Sequence, residues 1–574
     1  MPEGRADRQP LADERFLVVA DARLDNRDEL IAALGLRRPT LADSDILFAG
    51  WGRWGRSLFD RVAGSFALAI YDIREKSLIL ARSPESDRPL CYRVADGELR
   101  FASMPSGLLD SAPSLNRAAI ARYLLKGDKA QTETFFANIA AVPPGHILEW
   151  SRSSQRLQRW WTPAGAAETS PPDAVEEFQH ILTESVRSRI RRVSGPLGAQ
   201  LSGGLDSSAV VATAAGLLES PSELLAYTME PAPGLPHSIP RNYVTNEGPL
   251  ASQTARMLGI RHQLVSHRGP LFDCLAGHGR ISQEPAHNVI NFGWSYEIDR
   301  NAVAEGVQVM LVGEKGNSTI SYGGIAVLSE WLRRGRFLDY GKQARAVVNS
   351  GAARWRGALL YSVIDFLPRW LADLGAGYAP ESASNAFLRP EWIERTRELT
   401  IGSNYNSPGL RQDQFEMYAT NDLGVHKKAN LARHGIDERD PSADRRLIEF
   451  ALRLPAQEFL KDGVTRRLAR RALAGRLPAS VVNNPLRGYQ GADWHAKFDV
   501  GHARDWLDEI GLSATAEEVI DLSGIRQALD AADQAAKMPP LALRDWGFRL
   551  SRAIAVGAFI REAERDHAII GRRI

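Results

Sequence analysis

The chain has 574 residues, of which 44% are hydrophobic and 24% charged, and its formal net charge is +2. That length holds two or three domains with sizeable cores, the composition argues against disorder, and the near-balanced charge argues against general nucleic-acid binding. Only two cysteines occur, Cys91 and Cys274, without metal-ligand spacing, so neither a disulfide framework nor a zinc site is expected; with no signal peptide and no bilayer-length apolar run, the expected setting is the cytoplasm.

In chain order, residues 15–20, 66–71, 77–81 and 99–102 read as short strands bounded by Asp, Gly or Pro, with helical patterns at 28–34 and 44–54. Together they predict a layered α/β domain rich in antiparallel sheet. The Ala-, Pro- and Ser-rich stretch 164–173 reads as a linker, and 175–192 as an amphipathic helix. From there strands at 197–201, 224–229, 262–266 and 307–312 alternate with helices at 209–218 and 248–258. Nearly all-apolar strands separated by helices predict a doubly wound parallel sheet. Beyond about residue 325 the pattern is mostly helical. The basic cluster Arg466, Arg467, Arg470, Arg471 and Arg476 reads by default as a solvated helix face.

The densest chemical signal is Gln200-Leu-Ser-Gly-Gly-Leu-Asp-Ser-Ser208, between the strand at 197–201 and the following helix. Gly203 and Gly204 let backbone wrap closely around an anion. Ser202, Ser207 and Ser208 add hydroxyl donors, and the helix start aims free N–H groups at the same spot. Asp206 beside a phosphate calls for a bridging divalent cation. The spacing is not that of a Walker A loop. It matches Ser-Gly-Gly-x-Asp-Ser, the loop of ATP pyrophosphatases, which cleave ATP between its α and β phosphates.

Further segments follow in a consistent order. They are Asp21-Ala-Arg-Leu-Asp-Asn-Arg-Asp-Glu-Leu30, Gly64-Ser-Phe-Ala-Leu-Ala-Ile-Tyr-Asp72, Arg88-Pro-Leu90, Val142-Pro-Pro-Gly-His146 with Trp161, Arg439-Asp-Pro-Ser-Ala-Asp444, Asp462-Gly-Val-Thr465 and Leu477-Pro478. With the pyrophosphate loop, this order resembles the asparagine synthetase B superfamily over nearly the whole chain. The resemblance implies a glutaminase-like (Ntn-type) α/β sandwich over residues 1–165. It implies a doubly wound ATP-pyrophosphatase (adenine nucleotide alpha hydrolase-like) domain with a helical C-terminal part over 174–574.

Departures from the family pattern narrow the expected chemistry. Glutamine-hydrolysing members need cysteine directly after the initiator Met; here position 2 is Pro2, and neither cysteine is near it. The nitrogen nucleophile is therefore expected from the substrate, which points to the family's intramolecular amide-forming branches. The loop Gly313-Glu-Lys-Gly-Asn-Ser-Thr-Ile-Ser-Tyr-Gly-Gly324 places Glu314 where the family has its catalytic acid, Asn317 where it has a magnesium-binding Asp, and Ser318 after it. Its Asn-Ser-Thr-Ile-Ser-Tyr run looks more like lasso peptide cyclases than β-lactam synthetases. In Asn484-Pro-Leu-Arg-Gly-Tyr489, Leu486 falls on the phosphate-binding lysine, and Arg487 is the nearest replacement.

By residue-wise carry-over, ATP is expected on Gln200, Ser202, Gly203, Gly204, Asp206, Ser207, Met229, Val312 and Gly313, with Mg²⁺ on Asp206 and Asn317. Glu314 is the expected base and Arg487 an α-phosphate contact. Trp294, Tyr296, Tyr322 and Tyr489 are candidate walls of a peptide cleft, each equally readable as core. Implied partners are a precursor peptide, a leader peptidase and a leader-recognition protein, with neither nucleic acid nor membrane. A small-molecule amide ligase, a tRNA-modifying enzyme and a non-catalytic scaffold are the alternatives.

Overall fold

The computed structural model describes residues 7–37, 41–109, 114–163, 171–232, 243–267, 269–351, 354–363, 387–400, 410–489, 491–532, 538 and 540–570. Pro2 and most of the expected linker lie outside them. The amino-terminal part is built on a six-stranded antiparallel sheet, in spatial order β1 (Leu11–Ala12), β2 (Phe16–Leu24), β3 (Gly64–Asp72), β4 (Ser77–Arg82), β8 (His146–Ser151), β9 (Ser154–Arg159). A three-stranded sheet, β5 (Cys91–Ala95), β6 (Glu98–Ala102) and β7 (Ala140–Ala141), runs in order β6-β5-β7.

β3 is buried along Gly64–Ile70, because both faces of its sheet are covered, which is why it reads as an apolar run and not an alternation. Helices Arg27–Leu34 and Asp43–Trp54 close one face through Leu30, Ile46, Leu47 and Trp51 against Phe66 and Leu68. Leu90, Tyr92 and Val142 close the other against Ala67, Ala69, Leu80 and Leu148. Gly64 has φ 132° and starts β3 against the backbone of Arg23 to Asp25, so a side chain there has no room.

The second sheet is parallel and five-stranded, in order β13 (Arg261–Val265), β11 (Leu224–Met229), β10 (Leu197–Gln200), β14 (Val309–Leu311), β15 (Asp437–Arg439); a two-residue strand, β12 (Tyr243–Val244), lies outside it. Helices Leu205–Ala215, Gly248–Leu258 and Val289–Ala304 follow β10, β12 and β13 in sequence. The chain moves outward from β10 through β11 to β13, then returns to the other side of β10 for β14 and β15. The strand order thus reverses between β10 and β14, the place where open α/β sheets bind ligands at the carboxyl ends of the strands.

Two expectations need correction here. The helix after β10 begins at Leu205, not Ala209, because Gly204 is the extended N-cap and buried Leu205 anchors the first turn. The region after 325 is mostly helical as expected, but β15 adds a buried strand that hydropathy hides. Its Asp437-Glu-Arg439 is wholly charged, and Arg439 neutralises Asp437 through Nε to Oδ2 at 2.7 Å while donating from Nη1 to the Arg189 carbonyl at 2.5 Å.

The amino-terminal part is locked onto the carboxyl-terminal helices. Leu108, Leu115, Ile120, Tyr123, Phe135 and Ile139 share one apolar core with Trp494 and with Leu550, Ile554 and Phe559 of the long helix Pro540–Ile570, where Phe135 meets Phe559 edge-on at 5.5 Å. Burial at about 25 cal/mol per Å² makes such a shared core a tight junction. Arg82, 2% exposed, forks onto Asp422 with two bonds of 2.7 Å. Among the described residues no helix is long and apolar enough to cross a membrane.

Candidate active site

The loop after β10 is already folded around its own hydroxyls. Ser207 Oγ accepts from the Ser202 backbone N–H at 3.0 Å and lies 2.8 Å from Ser202 Oγ, which in turn accepts from the Gly204 N–H at 3.1 Å. Since the helix begins at Leu205, Asp206 and Ser207 stand on its first turn, beside the free N–H groups of the helix start. Gly203 is closely packed: a Cβ there would lie 3.0 Å from Leu250 Cδ1 and 3.3 Å from the Glu247 carboxylate, so those side chains would have to shift.

Across the switch point, the loop after β14 packs onto this one. A Cβ on Gly313 would lie 3.2 Å from the Ser207 backbone nitrogen, and Gly316 abuts the Asp206 carboxylate directly. The sequence places these two loops 110 residues apart; the sheet order makes them neighbours. Asp206 Oδ1 is buried and has no hydrogen-bond partner among the described residues. Burial pushes the Asp206 carboxyl up to about 6, against the opposing pull of Ser321 and Arg466 and with help from Asp440. A shielded carboxylate oxygen left without a donor suits a cation, so Mg²⁺ fits here on this observation. Asn317 sits exposed on the short helix Gly316–Thr319.

Gln200, Met229 and Val312 end or follow three adjacent strands, so the structure does bring them to one edge. Gln200 and Met229 are half-buried, whereas Val312 is 1% exposed, leaving its backbone as the part that can meet a ligand. Leu486 and Arg487 are exposed, and Arg487 pairs with Tyr243 in a short parallel ladder. Gly488 then passes against the Glu247 carboxylate, 2.7 Å from where its Cβ would stand, which sets Arg487 beside the pyrophosphate loop.

Glu314 is not a lone carboxylate. Lys427 Nζ stands 3.1 Å from Glu314 Oε2 and 2.8 Å from Asp87 Oδ1, and Asp87 also accepts from Ser65 Oγ at 2.8 Å. Burial works against the Lys427 charge, but Asp87 and Glu314 outweigh it and hold the ammonium well above its ordinary range. The expected base therefore shares its counter-ion with Asp87, on the connection between β4 and β5 of the amino-terminal part. No local motif could have announced this, because Asp87 and Lys427 are 340 residues apart.

The default reading of the arginine cluster also needs correction. Arg466, at φ 56°, is partly buried and faces both Asp206 and Arg487, whose charges act on it. Arg470 donates to the carbonyls of Thr465, Val482 and Asn484, and Arg476 reaches Thr213 Oγ1 at 3.3 Å. Only Arg471 is exposed, and it pairs with Glu458. Arg466 follows Asp462-Gly-Val-Thr465 directly, so that motif was the available signal. Of the aromatic residues, Tyr322 is core at 4% exposure and Tyr489 is packed on Tyr243. Cys91 and Cys274 are both buried, and burial pushes each thiol up to about 12, so neither presents a thiolate.

The asparagine synthase family pattern matches residues 177–549, well over half of the chain, and a glutamine amidotransferase domain pattern matches residues 3–161. The chain belongs to the asparagine synthase family. It is an asparagine synthetase-like ATP-dependent amide ligase. The glutamine-hydrolyzing asparagine synthetase 3 of Bacillus subtilis (strain 168) is 22% identical, over 93% of this chain and 85% of its own length. A Mycobacterium tuberculosis protein provisionally named glutamine-hydrolyzing asparagine synthetase is likewise 22% identical, over 91% of this chain and 81% of its own. Amidase chyE of Penicillium rubens is 26% identical over 48% of this chain and 42% of its own. The glutamine phosphoribosylpyrophosphate amidotransferase structure from Bacillus subtilis, with ADP and GMP, covers 53% of this chain and 63% of its own at TM-score 0.21 and 15% identity, too little to carry an argument.

Proposed function

We propose that this ligase activates a side-chain carboxylate of a precursor peptide with ATP and joins it to the peptide's own amino terminus, closing the macrolactam ring of a lasso peptide. The observation that carries the reading is the contact of the Gly313–Ser321 loop with the pyrophosphate loop, Gly316 against Asp206. It sets Glu314, two positions before Gly316 in that loop, close to the candidate phosphate site.

In this reading the substrate carboxylate oxygen attacks the α-phosphorus. The bond to the β-phosphate oxygen breaks, and pyrophosphate leaves. The loop N–H groups and the hydroxyls of Ser202 and Ser207 hold the phosphates, with Arg466 and Arg487 supplying positive charge where the lysine position carries Leu486. Mg²⁺, held by Asp206 and by the Asn317 amide oxygen, would neutralise phosphate charge. The amine nitrogen then attacks the acyl carbon, the carbon–nitrogen bond forms, and AMP departs with the electron pair of the acyl–oxygen bond. Glu314 accepts the proton released from nitrogen, while Lys427 balances its charge before and Asp87 steadies Lys427 throughout.

The amine is assigned to the substrate because neither cysteine can serve as the thiolate that releases ammonia from glutamine. A leader peptidase and a leader-recognition protein are the partners such a cytoplasmic ring closure needs, to free the amino terminus and deliver the peptide. Exchange of labelled pyrophosphate into ATP, dependent on a precursor peptide, tests the first step. Peptide minus one water, formed with AMP, tests the second. Formation of ADP, or of glutamate from glutamine, overturns the reading; absence of exchange with every peptide favours a scaffold.

A further inference from the structure

Residues 330–363 carry seven lysines and arginines against two acids, in a chain whose formal net charge is only +2, so the rest of the molecule is net negative. Two consecutive helices in this stretch, Phe337–Asn349 and Trp355–Val363, pack on one another. Their inner faces are settled. Gln343, Ala344 and Val347 are buried on the first and Ala358 and Ser362 on the second. Ser350 Oγ donates to the Gly463 carbonyl at 3.0 Å, which joins the pair to the turn that precedes Arg466. The outer faces present large apolar side chains to water: Leu338 is 91% exposed, Phe337 68%, Trp355 56% and Leu359 55%. Leu338, Lys342 and Arg345 follow one another at four- and three-residue steps, hence on one face, and Trp355 and Leu359 stand one turn apart on the other helix.

The charges say what covers this face. Both acids of the stretch are already engaged, Glu330 with Arg334 and Asp339 with Arg336. Lys342, Arg345, Arg354 and Arg356 are exposed and have no ion pair among the described residues. The occupant must therefore meet cations and apolar tips together. Nucleic acid would pair the cations and leave Leu338 and Leu359 in water. An acidic peptide would need a groove, whereas a side chain 91% exposed stands on a convex tip with no wall beside it. An anionic lipid surface offers both parts: phosphates at the height that long cationic side chains reach, and acyl carbons just beneath for Leu, Phe and Trp.

We propose that the outer face of this helix pair docks on an anionic membrane surface. Phe337, Leu338, Trp355 and Leu359 enter the boundary between headgroups and acyl chains, and Lys342, Arg345, Arg354 and Arg356 meet lipid phosphates. Among the described residues no helix is long and apolar enough to cross a membrane, and lying on one requires none. The proposal is independent of the ligase reading, since it concerns where the chain works and not which bond it makes. It replaces the expectation that the partners include no membrane.

The test needs neither peptide nor ATP. The full chain is floated with vesicles of phosphatidylcholine alone and of phosphatidylcholine with about one-third phosphatidylglycerol. The expected result is saturable partitioning onto the anionic vesicles only, weakened at about 1 M salt, where charges are screened. Lys342→Gln and Arg345→Gln should each weaken partitioning about fivefold, as loss of one surface charge does, and Leu338→Ser about tenfold, as loss of one inserted side chain does. All three positions are exposed, so the fold is kept, and thermal unfolding of the same samples checks this. Arg504→Gln combined with Arg526→Gln, exposed cations on helices Val500–Ile510 and Leu522–Asp530, should leave partitioning unchanged. No flotation with anionic vesicles, equal partitioning onto both lipids, or the same loss in the control variant overturns the proposal. So does retention on polyglutamate, weakened by Leu338→Ser, of a chain that no vesicle floats, which assigns the face to an acidic peptide instead.

Discussion

At the pyrophosphate loop a buried carboxylate oxygen has no hydrogen-bond partner among the described residues, whereas at the junction with the amino-terminal part most buried charges are paired. At the pyrophosphate loop, Asp206 keeps an orphaned oxygen and the serine hydroxyls bond chiefly to one another. At the junction of the two sheets, Arg82 holds Asp422, Lys427 holds Asp87, Lys428 holds Asp21, and Arg189 holds Asp25 and Asp444. Satisfied buried charge fixes geometry, because moving either partner strands the other. Unsatisfied buried charge is costly without a ligand, so its persistence marks chemistry. The amino-terminal part therefore supplies half of the scaffold on which Glu314 is mounted, through Asp87 and Lys427.

That contrast breaks most visibly at Asp206. Asp206→Asn should leave the fold intact and lower pyrophosphate exchange by about 10²-fold or more, since it removes a charged group at a preorganised phosphate site. Binding of magnesium ATP to the wild type should also weaken as pH falls through about 6, where the carboxyl takes up its proton. Calorimetric titration at a series of pH values reads this, and a flat profile would remove Asp206 from the cation site.

The opposite signature is expected at Asp422. Asp422→Asn leaves the Arg82 guanidinium buried and unpaired, and should cost about 3–5 kcal/mol in denaturant unfolding. Burial raises the Asp422 carboxyl, but the charge and hydrogen bonds of Arg82 outweigh it and bring it down to about 2. With the folded value depressed, this stabilisation is complete above about pH 4 and fades as pH falls towards 2. Pyrophosphate exchange normalised to folded protein should stay near wild type.

The sequence alone made the parallel sheet legible because apolar strands and a six-residue loop motif are local signals. Gln200, Ser202, Gly203, Gly204, Asp206 and Gly313 gather where strand order reverses. What stayed hidden was non-local or charged. β15 carries no apolar residue, so no periodicity marks it. Lys427 bridges Asp87 and Glu314 only once two domains meet. Arg466 looked like one more arginine on a helix face, and only the turn at φ 56° sets it before Asp206. Arg466→Ala is therefore expected to raise the KM for ATP about tenfold, with Arg487→Ala smaller because that side chain is exposed. Equal effects from the two would put the phosphate contact back on Arg487.

An effect of opposite pH dependence comes from the place where the junction breaks its own rule. Glu85 is 1% exposed, its Oε2 has no hydrogen-bond partner among the described residues, and it lies among Arg445, Asp444 and Asp25. Burial pushes its carboxyl up to about 8 despite the pull of Arg445, from an ordinary value of 4.5. The folded chain thus keeps a proton there that the unfolded chain has lost, and stability falls as pH rises from 4.5 towards 8. Glu85→Gln keeps the shape and removes the titration. Its unfolding free energy should match wild type near pH 4 and exceed it by up to about 5 kcal/mol above pH 8, where wild type must bury a charge. A loss of stability at pH 8 would mean that Glu85 is ionised and paired with Arg445, placing it with the satisfied charges of the junction after all.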